Sequence, residues 1–407
     1  MTPIILRPDQ AALKQAIYNE WNSGHNVVAG ILATGGGKSI ITTDIILDGH
    51  RDGLTEVVMA HRNELVGQMS LHVARRGIPH RIIGSSKTVS GIIQEHRAEF
   101  GRSFVNPDAK CSVGSVQTIV SRLDQLKQWG AQVDRFTGDE GHHFLRENMW
   151  GKAARLFTNA RGLLVTACPQ RADGAGLGSH ADGIVDAMVV GPPMRELIDI
   201  GALSDYEIII PSTDFAIGDD AITQGGDYSP KKMRDASKRS HIVSDAVTEY
   251  QKWTNGKKAI CFATDVETAN DIAARFNAAG IVAASVSAKT DEGVRRDMIR
   301  RFRDGRLLVL VNVDLFDEGF DVPDCEVVIM ARPTASLNKF LQMFGRGMRR
   351  SPGKAFGIVI DLVSNVLRHG LPDRPRVWTL DRRDKRAKKA PDPDEIALTA
   401  CRECSRP

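Results

Sequence analysis

The sequence has no long apolar run and few cysteines for its 407 residues. No stretch approaches the roughly 18 consecutive apolar residues typical of a membrane-spanning helix, so we expect no membrane partner. The first ten residues, MTPIILRPDQ, contain no basic segment followed by a long apolar run, which argues against a secretory signal. Of the six cysteines, four stand singly in apolar segments, as buried free thiols do. Without a signal or a disulfide pattern, the expected compartment is the cytoplasm.

A large excess of one charge is also lacking. Lysine and arginine number 54 against 50 aspartate and glutamate residues, and the net charge of +4 permits a polyanionic partner without requiring one. Hydrophobic residues make up 42% and charged residues 26% of the chain, which excludes a wholly disordered protein. At roughly 150 residues per domain, the length predicts two or three domains.

Short apolar runs alternate with longer helical patterns in two separate series. The first series has runs at residues 27–32, 56–60, 110–114, 135–139 and 162–166, and the second at 258–263, 281–285, 307–311, 327–330 and 355–361. Predicted helices include residues 8–21, 37–47, 63–76 and 237–253. Such alternation is typical of parallel strands covered on both faces, so we predict an α/β fold with two parallel sheets. The predicted domains are residues 1–205, residues 206–365 and a basic tail at 366–407.

The predicted tail contains a basic run and a cysteine pair. Residues 381–390, DRRDKRAKKA, carry six lysines and arginines against two aspartates. This run is either a solvated tail or an electrostatic arm that contacts nucleic acid. Cys401 and Cys404 have the spacing of half a zinc site, but the chain supplies no second pair of ligands nearby. The pair is therefore either incidental or half of a site whose other half is missing from this sequence.

A glycine-rich segment at residues 32–39, LATGGGKS, follows a predicted strand and opens a predicted helix. This context predicts a phosphate-binding loop, because consecutive glycines let several N–H groups face one anion at a helix N-terminus. Lys38 would reach the terminal phosphates of ATP, and the Ser39 hydroxyl would lie on Mg²⁺. The usual pattern has glycine six residues before the lysine, where this chain has Leu32. The candidate ATP-binding residues here are Thr34, Gly35, Gly36, Gly37, Lys38 and Ser39.

A second candidate site, DEGHH at residues 139–143, follows the apolar run 133–137. Acidic residues at the carboxyl end of a parallel strand lie at the crevice where such sheets bind ligands. Asp139 would hold Mg²⁺, and Glu140 would polarise the water that attacks the γ-phosphate. His142 could couple this site to a second domain. A zinc site at His142 and the adjacent histidine is disfavoured, since neighbouring histidines rarely face one metal and no third ligand is suitably spaced.

With these two sites in order, the chain resembles the superfamily 2 helicases of the DEAD/DEAH-like group. In the first part of the chain, the similar segments are LRPDQ at 6–10, AHRNEL at 60–65, VGSVQT at 113–118, DEGH at 139–142 and TACPQR at 166–171. In the second part, they are AICFAT at 259–264, DEGFD at 317–321 and QMFGRGMR at 342–349. Cys168 stands where the family usually has a hydroxyl residue, and Gly141 stands where alanine is common.

The resemblance implies two tandem RecA-like lobes with ATP in the cleft between them. It also implies that Arg346 and Arg349 act as arginine fingers from the second lobe, which stabilise charge on the transferred phosphoryl group. The remaining implied roles are adenine and nucleotide contacts at Arg7, Gln10, Gly319 and Asp321, strand contacts at Arg62, Gln117, Thr118, Thr264 and Asn312, and coupling by His142, Thr166 and Gln342.

The activity that the resemblance implies is that of an ATP-driven helicase or translocase on nucleic acid, with ATP and Mg²⁺ as cofactors. One alternative is a nucleic-acid-stimulated ATPase that acts as a switch in a larger complex and unwinds nothing. Another is the motor subunit of a restriction or defence system. The DEGH and LRPDQ segments are more similar to the DNA-directed repair and restriction branch than to RNA-directed DEAD-box proteins. DNA is therefore the expected partner.

Overall fold

The computed structural model describes residues 4–60, 63–254, 256–315, 325–383 and Arg406. Five residues singled out in the sequence lie outside these ranges, namely Arg62, Gly319, Asp321, Cys401 and Cys404. The described part of the chain forms two parallel β-sheets with helices packed against them, so the predicted α/β fold is confirmed. Within the same ranges, no helix combines the length and the apolar character needed to cross a membrane.

The first sheet is built from residues before position 191. Its strands are β1 (Val27–Ile31), β2 (Glu56–Ala60), β3 (His80–Ile83), β4 (Cys111–Ser115), β5 (Arg135–Asp139), β6 (Arg161–Thr166) and β7 (Ala187–Val190). Their spatial order is β3-β4-β2-β5-β6-β1-β7, and neighbouring strands are parallel. Because parallel strands end at the same edge, the residues that follow β1, β5 and β6 meet there.

The helices of the first lobe connect these strands. They are α1 (Pro8–Asn22), α2 (Lys38–Arg51), α3 (Asn63–Arg75), α4 (Ser86–Phe100), α5 (Val116–Ser121), α6 (Leu123–Gly130), α7 (Met149–Ala154) and α8 (Met194–Asp199). These helices pack through apolar faces, and helix α1 is an example. Its residues Leu13, Ile17 and Trp21 recur on one face and are buried. The indole N–H of Trp21 also donates to the Gly162 carbonyl at 3.2 Å, which joins the helix to β6.

The second sheet begins at position 205. Its strands are β8 (Asp205–Ile209), β9 (Ala259–Ala263), β10 (Ala283–Ser287), β11 (Val309–Val313), β12 (Val327–Ala331) and β13 (Phe356–Asp361), in the spatial order β10-β11-β9-β12-β13-β8. Its helices are α9 (Pro230–Arg239), α10 (Ile242–Thr254), α11 (Val266–Ala278), α12 (Glu292–Arg303), α13 (Leu337–Gly345) and α14 (Asn365–His369). Asp265 begins α11 by accepting bonds from the Glu267 and Thr268 amides at 3.0 and 3.2 Å.

All ten strands predicted from the sequence occur, with ends shifted by at most two residues. The prediction of one helix over residues 237–253 was wrong. Ser240 is extended, with φ of −111° and ψ of 167°, so α9 ends before it and α10 begins after it. The sequence also missed three strands, β3, β7 and β8. The domain limits proposed from the sequence remain a prediction.

The two lobes share one apolar cluster. Leu32 and Leu197 from the first lobe lie in the same buried cluster as Phe344 and Met348 from the second. The chain then returns from the second lobe, and Trp378 packs on this cluster and on a first-lobe cluster. The lobes are therefore held side by side by apolar packing as well as by polar contacts in the cleft.

The beginning of the predicted basic tail is bound to the first lobe. The Leu380 carbonyl accepts from the Gly178 amide at 2.9 Å. Arg382 forms an ion pair with Asp182, and Arg383 donates to the Arg171 carbonyl. These first basic residues are therefore exposed to solvent and also bonded to the first lobe, and the choice between a solvated tail and an electrostatic arm stays a prediction. Residues 384–390 of the run lie outside the described ranges.

Candidate ATPase site between the lobes

The glycine-rich segment forms a tight loop between β1 and α2. Gly35 and Gly37 have φ values of 82° and 106°, in the left-handed region that favours glycine. A Cβ at Gly37 would also lie 2.2 Å from Nε2 of Gln10, so no other residue fits there without rearrangement. The loop leads directly into Lys38, the first residue of α2. A helix N-terminus with this backbone is suited to bind phosphate.

Arg7 and Gln10 contact the backbone of this loop. The Arg7 guanidinium donates to the Gly36 carbonyl at 2.8 Å, and the Gln10 side-chain amide donates to the same oxygen at 3.3 Å. The Arg7 amide in turn donates to Oε1 of Gln10 at 3.1 Å. The sequence predicted adenine contacts here, and the structure adds a role in positioning the phosphate loop. Recognition of adenine by these residues remains a prediction.

Lys38 lies close to the acidic site. Burial lowers the pKa of its ammonium group, and the neighbouring Glu140 and Asp139 carboxylates oppose that shift. The Lys38 ammonium donates to the Leu32 carbonyl at 3.2 Å. A partly buried cation beside two carboxylates at a helix N-terminus fits the polyphosphate and metal of ATP–Mg²⁺.

The site also contains oxygen atoms that are suited to bind Mg²⁺. The Ser39 hydroxyl follows the loop, and the Asp139 carboxylate stands at the end of β5, so both are the hard donors that Mg²⁺ prefers. Thr34 is 8% exposed, and its hydroxyl oxygen has no hydrogen-bond partner in the described part of the chain. A buried hydroxyl of this kind is costly unless a bound group satisfies it.

Glu140 has a left-handed backbone, with φ of 52° and ψ of 54°. This conformation is uncommon for a residue with a Cβ and often marks a functional site. The Glu140 amide donates to Oδ1 of Asp139 at 3.0 Å, which supports the turn that separates the two carboxylates. The Glu140 side chain is buried, and it is met from across the cleft by the second lobe.

Helix α13 supplies two polar contacts to the acidic site. The Gln342 amide nitrogen donates to Oε2 of Glu140 at 3.1 Å. One turn earlier on the same helix face, the Asn338 amide nitrogen contacts Nε2 of His142 at 2.9 Å. Gln342 was predicted from the sequence as a coupling residue, whereas Asn338 was missed. The only signal for Asn338 in the sequence is its position four residues before Gln342, which is the spacing of one helix face.

The contact from Asn338 sets the tautomer of His142. When the Asn338 amide donates to Nε2, the proton of the neutral ring is on Nδ1. His142 Nδ1 is 3.1 Å from the Thr166 hydroxyl, which donates to the Cys168 carbonyl at 3.1 Å. A hydrogen-bond chain thus leads from α13 through the acidic site to the end of β6. Cys168 takes part through its backbone, so the missing hydroxyl at this position does not break the chain.

The two candidate arginine fingers lie at the end of α13. Arg346 is 4% exposed, and burial lowers the pKa of Arg349 to about 10, which leaves it protonated at neutral pH. A Cβ at Gly35 would be 3.6 Å from Cγ of Arg349, so this side chain reaches the phosphate loop. Both arginines are near enough to Lys38 to affect its pKa electrostatically.

The residues predicted to contact the nucleic-acid strand differ in their exposure to solvent. Gln117 is exposed on α5, and the Thr118 hydroxyl lies 2.8 Å from that of Ser115, which caps the helix. Thr264 is buried, with its hydroxyl 2.9 Å from that of Ser237. Asn312 is buried and accepts from the Leu315 amide at 2.9 Å. In this arrangement Thr264 and Asn312 hold loops in place, and their contact with nucleic acid remains untested.

Comparison with known proteins identifies the family. Residues 3–171 match the family model for the res subunit of type III restriction enzymes, and residues 241–351 match the helicase conserved C-terminal domain. A 51.5 kDa protein of a Lactococcus phage is 33% identical over 372 residues, which are 91% of this chain and 73% of the phage protein. The chain belongs to the superfamily 2 helicases of the restriction and repair type. It is therefore an ATP-hydrolysing enzyme of the helicase or translocase class, as the sequence predicted.

Other relatives are longer than this chain. The putative ATP-dependent helicase IRC3 of Saccharomyces cerevisiae is 24% identical, and the match covers 88% of this chain but 51% of IRC3. A fragment of a putative HsdR subunit of a type I restriction enzyme from Vibrio vulnificus has a TM-score of 0.65 at 19% identity, covering 91% of this chain and 67% of the fragment. The Type ISP restriction-modification enzyme LlaBIII, solved bound to DNA, has a TM-score of 0.60 at 18% identity, covering 88% of this chain and 28% of the enzyme. These structural likenesses confirm the tandem RecA-like fold.

Proposed function

We propose that this helicase-family chain is a motor that moves along a DNA strand by closing and opening its two lobes as ATP is bound and hydrolysed. The observation that carries the proposal is the set of contacts from α13 to the phosphate loop and the acidic site. Gln342 contacts Glu140, Asn338 contacts His142, and Arg349 reaches Gly35. A nucleotide in this cleft would touch both lobes, so its presence or loss changes the free energy of their association.

The geometry supports a set of catalytic roles. Lys38, Ser39 and Asp139 would hold ATP and its Mg²⁺, which supplies charge neutralisation at the β- and γ-phosphates when bound. Glu140 orients and deprotonates the attacking water, and the Gln342 amide holds one oxygen of that carboxylate in place. Arg346 and Arg349 donate to the γ-phosphate oxygens from the second lobe, where bidentate guanidinium bonds favour the transition state.

Movement would follow from the loss of these contacts. Once the γ-phosphate has left, the second-lobe arginines lose their contact with it, which weakens the association of the lobes. The chain from Asn338 through His142 and Thr166 would carry this change to the end of β6. Most contacts to the strand would be made to phosphate and sugar, so sequence specificity would be low.

DNA is the proposed substrate on the basis of relatives. The phage protein carries no activity in its name, but one matched family model and the two solved structures named above are of restriction enzymes, and one of these structures is bound to DNA. By the same reasoning, the chain could act within a larger restriction or repair complex. The relative IRC3, which is named as a putative ATP-dependent helicase, also supports unwinding, although a motor need not separate strands.

The test is the rate of ATP hydrolysis measured without nucleic acid and with single-stranded DNA, duplex DNA and RNA in turn. We expect single-stranded DNA to stimulate turnover most. The Glu140→Gln variant is the control, because it keeps the shape of the site but should lose ~10²–10⁴ in rate. Equal rates in all four conditions would contradict a nucleic-acid motor. A strand-displacement assay with ATP then separates a helicase from a switch that hydrolyses ATP without unwinding.

A further inference from the structure

Helix α9 presents basic side chains on its solvent face. Its sequence is PKKMRDASKR, in which Met233, Ala236 and Ser237 are buried. The exposed cations are Lys231, Lys232, Arg234, Lys238 and Arg239, and the one exposed acid is Asp235. Lys231, Arg234 and Lys238 recur at intervals of three and four residues, so they lie in one stripe along the helix. This helix belongs to none of the motifs that the sequence analysis assigned.

The buried face of α9 fixes the helix at the carboxyl edge of the second sheet. Met233 packs in a small cluster with Ala221 and Tyr228. The Ser237 hydroxyl lies 2.9 Å from that of Thr264, the residue directly after β9. Helix α9 thus covers Thr264, which the sequence analysis predicted to contact the nucleic-acid strand. Its own cations, rather than Thr264, face outward there.

The segment before α9 also touches the first lobe. Gly226 has a φ of 83°, and a Cβ at this position would be 1.9 Å from the carbonyl oxygen of Ala172. Ala172 follows the TACPQR segment, at the edge of the first lobe where β6 ends. Helix α9 is therefore beside the opening between the lobes, where a strand that crosses both lobes would pass.

The cations of α9 are available to an anionic partner. Lys232 pairs with Asp220 at 2.7 Å and Lys238 with Glu267 at 2.8 Å, and all four of these side chains are about half exposed or more. Arg234 is also half exposed, and its Nε lies 3.9 Å from Oδ1 of Asp265. Exposed pairs of this kind contribute little to stability, so phosphate can replace the carboxylates at little cost. Lys231 and Arg239 form no ion pair with any part of the chain that the structure describes.

We propose that the basic face of α9 binds the phosphodiester backbone of the single strand on which the motor acts. The proposal rests on the function proposed above and assigns a second-lobe contact to residues that no motif identified. Lysine and arginine side chains bind successive phosphates without reading the bases, and each contact releases counterions. Removing two such contacts should therefore lower the salt dependence of binding without changing sequence preference.

The experiment compares three forms of the full chain. The variant Lys231→Gln/Arg234→Gln removes two stripe cations, and glutamine keeps a good helix former at each position. The matched control Lys252→Gln/Arg275→Gln removes the same charges from exposed sites on α10 and α11, near the opposite edge of the sheet. Affinity for a fluorescent oligothymidylate is measured at several salt concentrations, together with basal ATP hydrolysis and thermal unfolding.

We expect the slope of log affinity against log salt to fall by about 1.4 in the α9 variant, at about 0.7 for each phosphate contact on a single strand. The control should keep the parent slope, and basal ATP hydrolysis should be unchanged in both. An α9 variant that matches the control would overturn the proposal, while stimulation of the parent by DNA would still support the motor. Should the double variant unfold, Lys231→Gln alone should lower the slope by about 0.7, and an unchanged slope would then be decisive against α9.

Discussion

Asn338 is the residue through which α13 orients His142. The 2.9 Å contact between the Asn338 amide nitrogen and Nε2 of His142 places the ring proton on Nδ1, which faces Thr166. Asn338 therefore acts by positioning His142. If the two side chains act as one unit, Asn338→Ala and His142→Ala should reduce DNA-stimulated turnover by similar factors. The double variant should then be little worse than either single variant.

The measurement is a double-mutant cycle on stimulated turnover, with the affinity for ATP measured in parallel. Coupled residues in one hydrogen-bond network typically show interaction energies of about 0.5–3 kcal/mol. Additive losses would mean that Asn338 and His142 act independently, and would remove the hydrogen-bond chain from the account of coupling. A variant of Asn338 that weakens ATP binding as much as turnover would indicate a structural role only.

A second buried histidine network lies in the first lobe, away from the cleft. His80 donates from Nδ1 to the Ile78 carbonyl at 2.9 Å, so its Nε2 accepts from the Ser70 hydroxyl at 2.6 Å. His96 accepts from the Phe104 amide at 3.2 Å, so its Nε2 donates to Ser70 at 3.0 Å. Every donor in this hydrogen-bond network has an acceptor only while both histidine rings are neutral.

Acid should therefore destabilise the first lobe. Burial lowers the pKa of His80 from 6.5 to about 4, so the unfolded chain binds a proton at a higher pH than the folded chain. The stability due to the neutral ring is complete above pH 6.5 and is lost as the pH falls toward 4. The loss is about 3 kcal/mol. Denaturation midpoints between about pH 5 and pH 7 should fall more steeply for the parent than for His80→Phe, whereas the exposed His50→Gln variant should keep the parent slope.

At the scale of elements, the sequence predicted every interior strand and the edge strand β10, and it missed the other three edge strands. Interior strands such as β2 are covered on both faces, so their apolar runs stand out. Strand β3 has four residues, two of them polar, and β7 is an edge strand that is only partly buried. Because such strands are short and partly polar, their sequences resemble those of loops. They form strands because they pair with neighbouring strands, which the local sequence does not show.

The parts of the candidate site that were predicted are those whose functional residues lie close together in the sequence. The phosphate loop and the DEGH segment each combine several informative residues within a few positions, so both were found. Asn338 and Ser237 act on residues 196 and 27 positions away, respectively, and nothing near them in the sequence indicates those partners. Contacts of this kind depend on how the elements pack, which a single sequence does not show.

The loop that precedes α9 provides a test of the contact between the lobes. Gly226→Ala would add a Cβ at a left-handed φ of 83° and 1.9 Å from the Ala172 carbonyl oxygen. The left-handed backbone alone costs a residue with a Cβ roughly 1–2 kcal/mol, and the close approach adds to that. Gly225→Ala is the matched control, because its Cβ would meet only the Thr223 hydroxyl oxygen, at 3.5 Å.

We expect Gly226→Ala to lower the thermal unfolding temperature by several degrees and Gly225→Ala to leave it close to that of the parent. The same pair of variants should be compared for ATP hydrolysis with single-stranded DNA, since the loop touches both lobes. Two variants of equal stability would show that Gly226 does not contact Ala172 in solution.

At the scale of the whole molecule, the proposed mechanism depends on a closed cleft in which every proposed catalytic group is in place. Lys38, Ser39, Asp139 and Glu140 come from the first lobe, and Arg346 and Arg349 come from the second. We expect the first-lobe groups to bind nucleotide alone and the arginines to reach it only when the lobes meet. The account therefore predicts that nucleotide binding and hydrolysis can be separated by a change in the second lobe.

The most direct measurement compares Arg349→Ala with the parent, recording ATP affinity and turnover with and without single-stranded DNA. Arginines delivered from a second element contribute about 10³–10⁵ in rate, and we expect the lower end because Arg346 remains nearby. ATP affinity should change little, and stimulation by DNA should be largely lost, since closure no longer delivers this guanidinium. Stimulated turnover equal to that of the parent would contradict a mechanism in which the two lobes share one catalytic site.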